Sequence, residues 1–363
     1  MIEPPRLWIR HEIRPTERRA PIVPADAERL VRRGIEITVE DSPRRAFPIA
    51  DYTKAGCAVA SAGSWVDAPR DVFVVGLKEL PDEPAELVHR HVFFGHAYKG
   101  QRGAGELLRR FAAGGGELLD VEYLVDDEGR RLATFGYWAG YAGAALAVLT
   151  YRGGLPTPLR PSSKEALDAA LRPAPGRDTT AAIVVGALGR VGRGARAAFA
   201  TAGIEPTCWD LAETRRLDRA ALLGHDVMVN AVLTTGPTSP FLTAHDVGNP
   251  MRRLSVISDV SCDINSDWNV LPIYQHPTSW QQPAQRLHDD PPLEIIAIDN
   301  LPSLLPREAS AAFSAELTPR LMTLGTADPP WQRCAAEFRL ALQRHGITAG
   351  DPVSGRSDGG PGH

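Results

Sequence analysis

Lysine is scarce in this sequence. Of its 40 basic residues only Lys54, Lys78, Lys99 and Lys164 are lysine, and the rest are arginine. Cysteine is scarce too. Cys57, Cys208, Cys262 and Cys334 stand far apart, without the short spacings of a metal site, so no metal is expected. Four cysteines in 363 residues also exclude a disulfide-stapled secreted scaffold. No apolar run approaches the roughly 20 residues of a membrane span. The opening MIEPPRLWIRHE lacks the apolar core of a secretory leader. Positive charge is not in excess: 40 Lys+Arg stand against 44 Asp+Glu, a net charge of −4, so there is no electrostatic footprint for nucleic acid. The expectation is a reduced, cytoplasmic protein, a monomer or small homo-oligomer, with neither nucleic acid nor membrane as partner.

What is present is an ordinary globular composition, 43% hydrophobic and 23% charged, in a chain long enough for two domains. The first third alternates strand and helix patterns. RLWIR (6–10) reads as a strand. PADAERLVRR (24–33) reads as a helix, with Pro24 in its opening turn and Gly34 ending it. IEITVE (35–40) has period-two alternation, and VFVV (72–75) and HVFFGHAY (91–98) read as further strands, with helical pieces such as GAGELLRRFAAGG between. This order predicts an α/β fold with mostly parallel sheets. FGYWAGYAGAALAVLTYRG (135–153) reads as one long buried helix. TAAIVVG, DVMVNAV (226–232), LSVISDV (254–260) and, as the last strand, IIAIDN (295–300) belong to a second unit. LPREASAAFSAELTPRLMTL reads as a helix returning toward the first unit, and the Gly/Pro/Ser-rich end (347–363) as a disordered tail.

AIVVGALGRVGRGA sets Gly186, Gly189 and Gly192 directly after a strand and before a small-residue helix. Such glycines let backbone approach a pyrophosphate, and the helix N-terminus offers N–H groups to it. The loop Gly186–Gly192, including Leu188, Arg190 and Val191, is therefore a candidate NAD site. Asp210 ends the next apolar stretch, PTCWD, about 20 residues on, where a carboxylate bonds ribose hydroxyls and repels a 2′-phosphate. A tight turn without ligand is the plain alternative.

Four pieces of the first unit carry candidate chemistry. RPTERRAPIVP holds Arg14, Glu17, Arg18 and Arg19. GLKE holds Lys78 and Glu79, FGHAYK holds His96 and Lys99, and LDVEYLVDDEGRRLATFG holds Glu122, Arg130 and Arg131. Lys78 and His96 each follow an apolar run, at the strand end where open α/β sheets bind ligands. Two titratable groups there can divide acid and base work, and the arginines can bind carboxylates bidentately. Taken singly, each has a plain reading: a packed histidine, a solvated lysine at a strand's end, arginines facing water. Beside a dinucleotide loop the functional reading gains the upper hand.

RPTERRAPIVP, EDSPRRAF, AGSW, PRDVFVVGLKELP, FGHAYK, EGRRLATFGYWAGYAGAALAV, GALGRVGRGA and DNLPSLLPREAS, in this order, resemble the NAD-dependent, lysine-forming saccharopine dehydrogenases of the alanine dehydrogenase and transhydrogenase group. The resemblance spans about Arg6 to about Arg344. It implies two Rossmann-like domains separated by a cleft, a substrate-binding one from 1–134 plus 307–346 and an NAD-binding one from 135–306. It implies oxidation of saccharopine to an imine, then hydrolysis to L-lysine and 2-oxoglutarate. Carried over, Lys78 is the general base and His96 the acid–base group for water, with Glu79 and Glu122 tuning them. Arg19, Lys99 and Arg131, with Glu17 and Phe135, hold the substrate. Arg14 pairs with Asp299 beside the dinucleotide, and Asp210 binds its ribose. Nearby cations are expected to favour a neutral Lys78. Positions where fungal members carry a disulfide pair hold Val191 and Ala231 here. The segment 265–292 departs from the family. The alternative is a related imine reductase or opine-type dehydrogenase using another amine; alanine dehydrogenase and a non-catalytic NAD-binding protein stand behind it.

Overall fold

The computed structural model describes residues 4–101, 103–172, 179–234, 236–264 and 266–348. The chain divides into two compact units, Met1–Thr134 with Ser310–His363, and Phe135–Ala309.

In the first unit six strands form one sheet: β1 (Leu7–Ile9), β2 (Ile37–Glu40), β3 (Ala58–Ala60), β4 (Phe73–Val75), β5 (Arg90–Phe93) and β6 (Glu117–Asp120). Their order is β3-β2-β1-β4-β5-β6, and every pairing is parallel. The residues of β4 are all buried, as a strand covered on both faces requires. One face packs Trp65, Val74, Phe93, Leu118 and Phe338 around Leu108 and Phe111 of the helix Ala104–Gly114. Each such large side chain stabilises the unit by about 1.5–3 kcal/mol. The helix Pro24–Val31 starts on proline, and Gly34 takes φ +84° just beyond its end.

The chain returns to this unit through the helix Pro306–Leu321. Ser310 Oγ accepts the Ala20 N–H at 2.9 Å; Ser314 Oγ accepts that of Val23 at 3.0 Å and donates to Asp26 at 2.6 Å. These bonds satisfy the backbone ahead of and within the turn that enters Pro24. A last helix, Pro329–Arg344, carries Phe338 into the core, and Ile347 is buried there as well. Most of the expected tail, 349–363, lies outside the described residues.

The second unit has β7 (Ala182–Val185), β8 (Thr207–Trp209), β9 (Val227–Asn230), β10 (Val256–Asp259), β11 (Gln285–Asp289) and β12 (Pro292–Ile296), in the order β11-β12-β10-β9-β7-β8. Only β11 runs antiparallel, on the edge against β12. It belongs to the segment 265–292, which also gives Val270, Leu271, Tyr274 and Trp280 to the unit's cores. The helix Gly136–Tyr151 is buried over ten successive residues. It touches the helix Arg190–Thr201 backbone to backbone. A Cβ on Gly140 would lie 1.8 Å from the Val191 carbonyl oxygen, and one on Gly194 1.8 Å from that of Tyr137. Only glycine permits that approach.

In both sheets the order reverses once, between β1 and β4 and between β7 and β9. Ligands of open α/β sheets bind at such a point, beyond the carboxyl ends of the strands.

Candidate active site

The candidate residues of the first unit follow the carboxyl ends of four neighbouring strands: Arg14, Glu17 and Arg19 after β1, Lys78 and Glu79 after β4, His96 and Lys99 after β5, Glu122 after β6. The expected strand 91–98 stops at Phe93, because the chain turns at Gly95 and His96. His96 has φ +48°, a left-handed conformation uncommon for a residue with a Cβ. Such strain persists where the surroundings impose it, and it clusters at functional sites. The surroundings here are specific. Asp120 Oδ2 accepts the Gly95 N–H at 3.2 Å, and its Oδ1 accepts that of Glu122 at 2.9 Å. The Phe94 and His96 rings stack with centroids 6.4 Å apart.

Glu122 is the hub of one half of the site. Its Oε1 accepts from Lys99 Nζ at 2.7 Å and Arg131 Nη2 at 2.6 Å, and its Oε2 lies 3.7 Å from His96 Nδ1, an ion-pair distance beyond a hydrogen bond. Burial pushes the Glu122 carboxyl up, but His96, Lys99 and Arg131 outweigh it and hold the group down at about 2. Asp120, fully buried beneath, goes the other way, to about 6, through burial and the nearby Glu122 charge.

Glu17 is the hub of the other half. It accepts the Arg19 backbone N–H and Nε at 2.9 Å and Nη2 at 2.6 Å. Burial again opposes ionisation, and the Arg19 guanidinium with the Lys78 charge brings the carboxyl down to about 2. Arg14 grips Glu79 with two bonds, 2.9 and 3.1 Å. Arg14 and Arg19 are thus each paired with a carboxylate.

The backbone of Lys78 has partners that sequence reasoning missed. Glu12 accepts the N–H groups of Leu77 at 2.7 Å and Lys78 at 3.0 Å, and Arg10 donates to the Lys78 carbonyl. Asp120 was missed as well, although an aspartate closing the apolar run ELLD was a readable signal.

In the second unit, Gly186 has φ +86°, and a Cβ there would come 3.0 Å from the Ala231 carbonyl group and the Val232 side chain after β9. A Cβ on Gly192 would lie 2.2 Å from the Gly186 oxygen, so this glycine seats the helix against the loop. At Gly189 the nearest atom is 3.5 Å away, and the helix Arg190–Thr201 starts there without a side-chain cap. An anion suits the N-terminal end of such a helix. Asp210 Oδ2 accepts the Leu188 N–H at 2.9 Å, and Oδ1 that of Leu211 at 2.9 Å. The carboxylate is thereby fixed at the loop, with Glu213 bonded back to its N–H at 2.7 Å. Two acidic groups beside the loop fit a ribose diol and oppose a 2′-phosphate. These residues fit NAD. Asp299 lies exposed past the end of β12, and Phe135 opens the helix Gly136–Tyr151.

Comparison with known proteins accords with this geometry. Residues 8–142 match the alanine dehydrogenase/PNT N-terminal domain, and residues 177–346 the alanine dehydrogenase/PNT C-terminal domain. A solved L-alanine dehydrogenase aligns over 96% of both chains with a TM-score of 0.67 at 19% identity, a likeness of fold. Curated relatives named saccharopine dehydrogenase [NAD(+), L-lysine-forming] match nearly end to end. That of Schizosaccharomyces pombe is 37% identical over 94% of this chain and 99% of its own, and that of Neurospora crassa 40% identical over 92% and 96%. The chain belongs to the alanine dehydrogenase/PNT family, on its branch of NAD-dependent, lysine-forming saccharopine dehydrogenases. Among the described residues no helix is long and apolar enough to cross a membrane.

Proposed function

We propose that this protein oxidises saccharopine with NAD at the bond between carbon and the secondary amine, and hydrolyses the imine to L-lysine and 2-oxoglutarate, with reductive condensation as the reverse. We place this reaction in the cytoplasm. The observation that carries the reading is the placement of Lys78 and His96 beyond neighbouring strands, β4 and β5, each in the field of a buried, ionised glutamate.

The amine must be neutral before its carbon can surrender a hydride, since the product nitrogen takes on positive character. Lys78 accepts that proton, a task arginine cannot perform. NAD, which the glycine loop Gly186–Gly192 and Asp210 would hold, would supply the acceptor for that hydride. His96 then takes a proton from water as it attacks the imine carbon, and delivers one to nitrogen as the carbinolamine collapses. Saccharopine carries three carboxylates, and Arg19, Lys99 and Arg131 are assigned to them, with Phe135 beside the substrate. Glu17 and Glu122 hold these cations in position before substrate arrives, so less side-chain ordering is left to binding. Arg14 and Asp299 are assigned to the dinucleotide side, as are Leu188, Arg190 and Val191 of the loop.

A panel of amines tests substrate identity. Lysine, ornithine and other primary amines are each mixed with NADH and either 2-oxoglutarate or glyoxylate. NADH loss is expected to be fastest with lysine and 2-oxoglutarate. A faster rate with another pair would assign the protein to a different secondary amine.

A further inference from the structure

The GLKE turn is held by a buried pair from the other side of the switch point. Arg10 and Glu12 follow β1, and only 1% and 6% of their surfaces reach solvent. The two oxygens of Glu12 accept the N–H groups of Leu77 and Lys78, one each. Arg10 Nη2 donates to the Lys78 carbonyl, while Nη1 reaches the His11 carbonyl at 3.1 Å and Glu12 at 3.5 Å. The guanidinium passes directly over Gly76. A Cβ on that glycine would sit 2.4 Å from Arg10 Nε and 2.5 Å from Cζ. It also lies 5.5 Å from the ring centroid of Phe93, the last residue of β5. From the outer side, Arg44 donates to the carbonyls of Glu12 at 3.2 Å and Ile13 at 3.3 Å.

Apart from the Arg10–Glu12 pair itself and the Phe93 ring, these hydrogen bonds end on backbone, and together they fix both the N–H and the carbonyl of Lys78. A lysine side chain has four rotatable bonds, so its amine is placed only as well as its Cα. Burying an ion pair seldom adds stability over apolar packing, which makes a positional use the better account of this one.

We infer that Glu12, braced by Arg10 across Gly76, is a positioning residue for the Lys78 amine in proton abstraction. The inference rests on the assignment of Lys78 as the base. A glutamine at position 12 keeps one acceptor but turns an NH₂ toward one of the two peptide N–H groups. The strand end then shifts, and the amine with it. Since a displacement near 1 Å can cost about a hundredfold in rate, the loss expected lies between about tenfold and a hundredfold.

The test is a double-mutant cycle on the full-length enzyme with NAD and saccharopine. Glu12→Gln is expected to lower kcat by about ten- to a hundredfold per folded molecule, to displace the acidic limb of the pH profile, and to leave the NAD Kd within about twofold. In the Lys78→Met background the same change should add nothing, because no amine remains to be positioned. An equal loss in both backgrounds, or an unchanged kcat and pH profile in Glu12→Gln, overturns the inference. Wild-type turnover in Lys78→Met would instead refute the base assignment itself, so the two failures are distinguishable. Should Glu12→Gln fold poorly, Gly76→Ala runs the same cycle by displacing the Arg10 guanidinium. It is expected to show the same dependence on Lys78, and an equal loss with and without that lysine overturns the inference.

Discussion

Glu122 and Glu17 each sit among cations under cover, and acid should expose what that arrangement is worth. Both carboxyls lie at about 2, against an ordinary 4.5. A folded-state value below the unfolded one means stability that is fully present above about pH 4.5 and lost as pH falls toward 2. Each shift corresponds to roughly 3 kcal/mol. Asp120 acts in the opposite sense. Its value is raised to about 6, so its protonation between pH 6 and 4 relieves a burial cost. Stability measured by denaturant unfolding should therefore fall steeply only below pH 4.5. In Glu122→Gln that fall should be shallower, since a glutamine still accepts from Lys99 and Arg131 but cannot be protonated. Parallel curves for variant and wild type would mean that Glu122 contributes nothing to the acid response. At this scale the sequence was legible for groups whose chemistry is carried by residue type and strand-end position: Lys78, His96, and the acidic and basic residues of TERR, KE and EGRR. It was not legible for Glu12, Arg10 and Asp120. They act by accepting or donating to backbone brought near by strand pairing, and a charged residue in IRHE or LLD looks the same whether it faces solvent or closes a strand.

Among the elements, the glycine loop separates two uses of one residue type. Gly186 and Gly192 are demanded by the fold, through a left-handed φ and a 2.2 Å approach respectively. Gly189 is demanded by neither, since its φ is −68° and its Cβ position is open. Gly189→Ala should leave the unfolding temperature unchanged and raise the NAD Kd by about tenfold or more, the cost of a misplaced charged contact of 1.4 kcal/mol or above. Equal NAD affinity, measured by calorimetry, would show that the pyrophosphate does not approach this glycine. Asp210→Ala is a less clean probe, because Asp210 also anchors Leu188 in the loop. The strands that escaped reading have physical reasons in common. Ala58–Ala60 is short and exposed on an edge; Gln285–Asp289 is polar and pairs only through β12; Glu117–Asp120 is only four residues long and has no β-branched residue. Strands buried on both faces, such as Phe73–Val75 and Ala182–Val185, announce themselves as apolar runs.

The whole molecule repeats one solution twice. Each unit is built on a parallel sheet, in the second with one antiparallel edge strand, and each sets its functional loops at the reversal of strand order: RPTERR and GLKE in the first, the glycine loop in the second. The strand and helix alternation foretold the class of both sheets, and LPREASAAFSAELTPRLMTL reads as the returning helix; the contacts that seat it, such as Ser310 to Ala20, are encoded by no local pattern. The account joins amine, base and dinucleotide in one reaction, and one measurement addresses it directly. Purified protein is mixed with NAD and saccharopine, and NADH absorbance is followed while lysine and 2-oxoglutarate are quantified. The account predicts that NADH, lysine and 2-oxoglutarate appear in equal amounts. NAD binding without formation of NADH from saccharopine would contradict it.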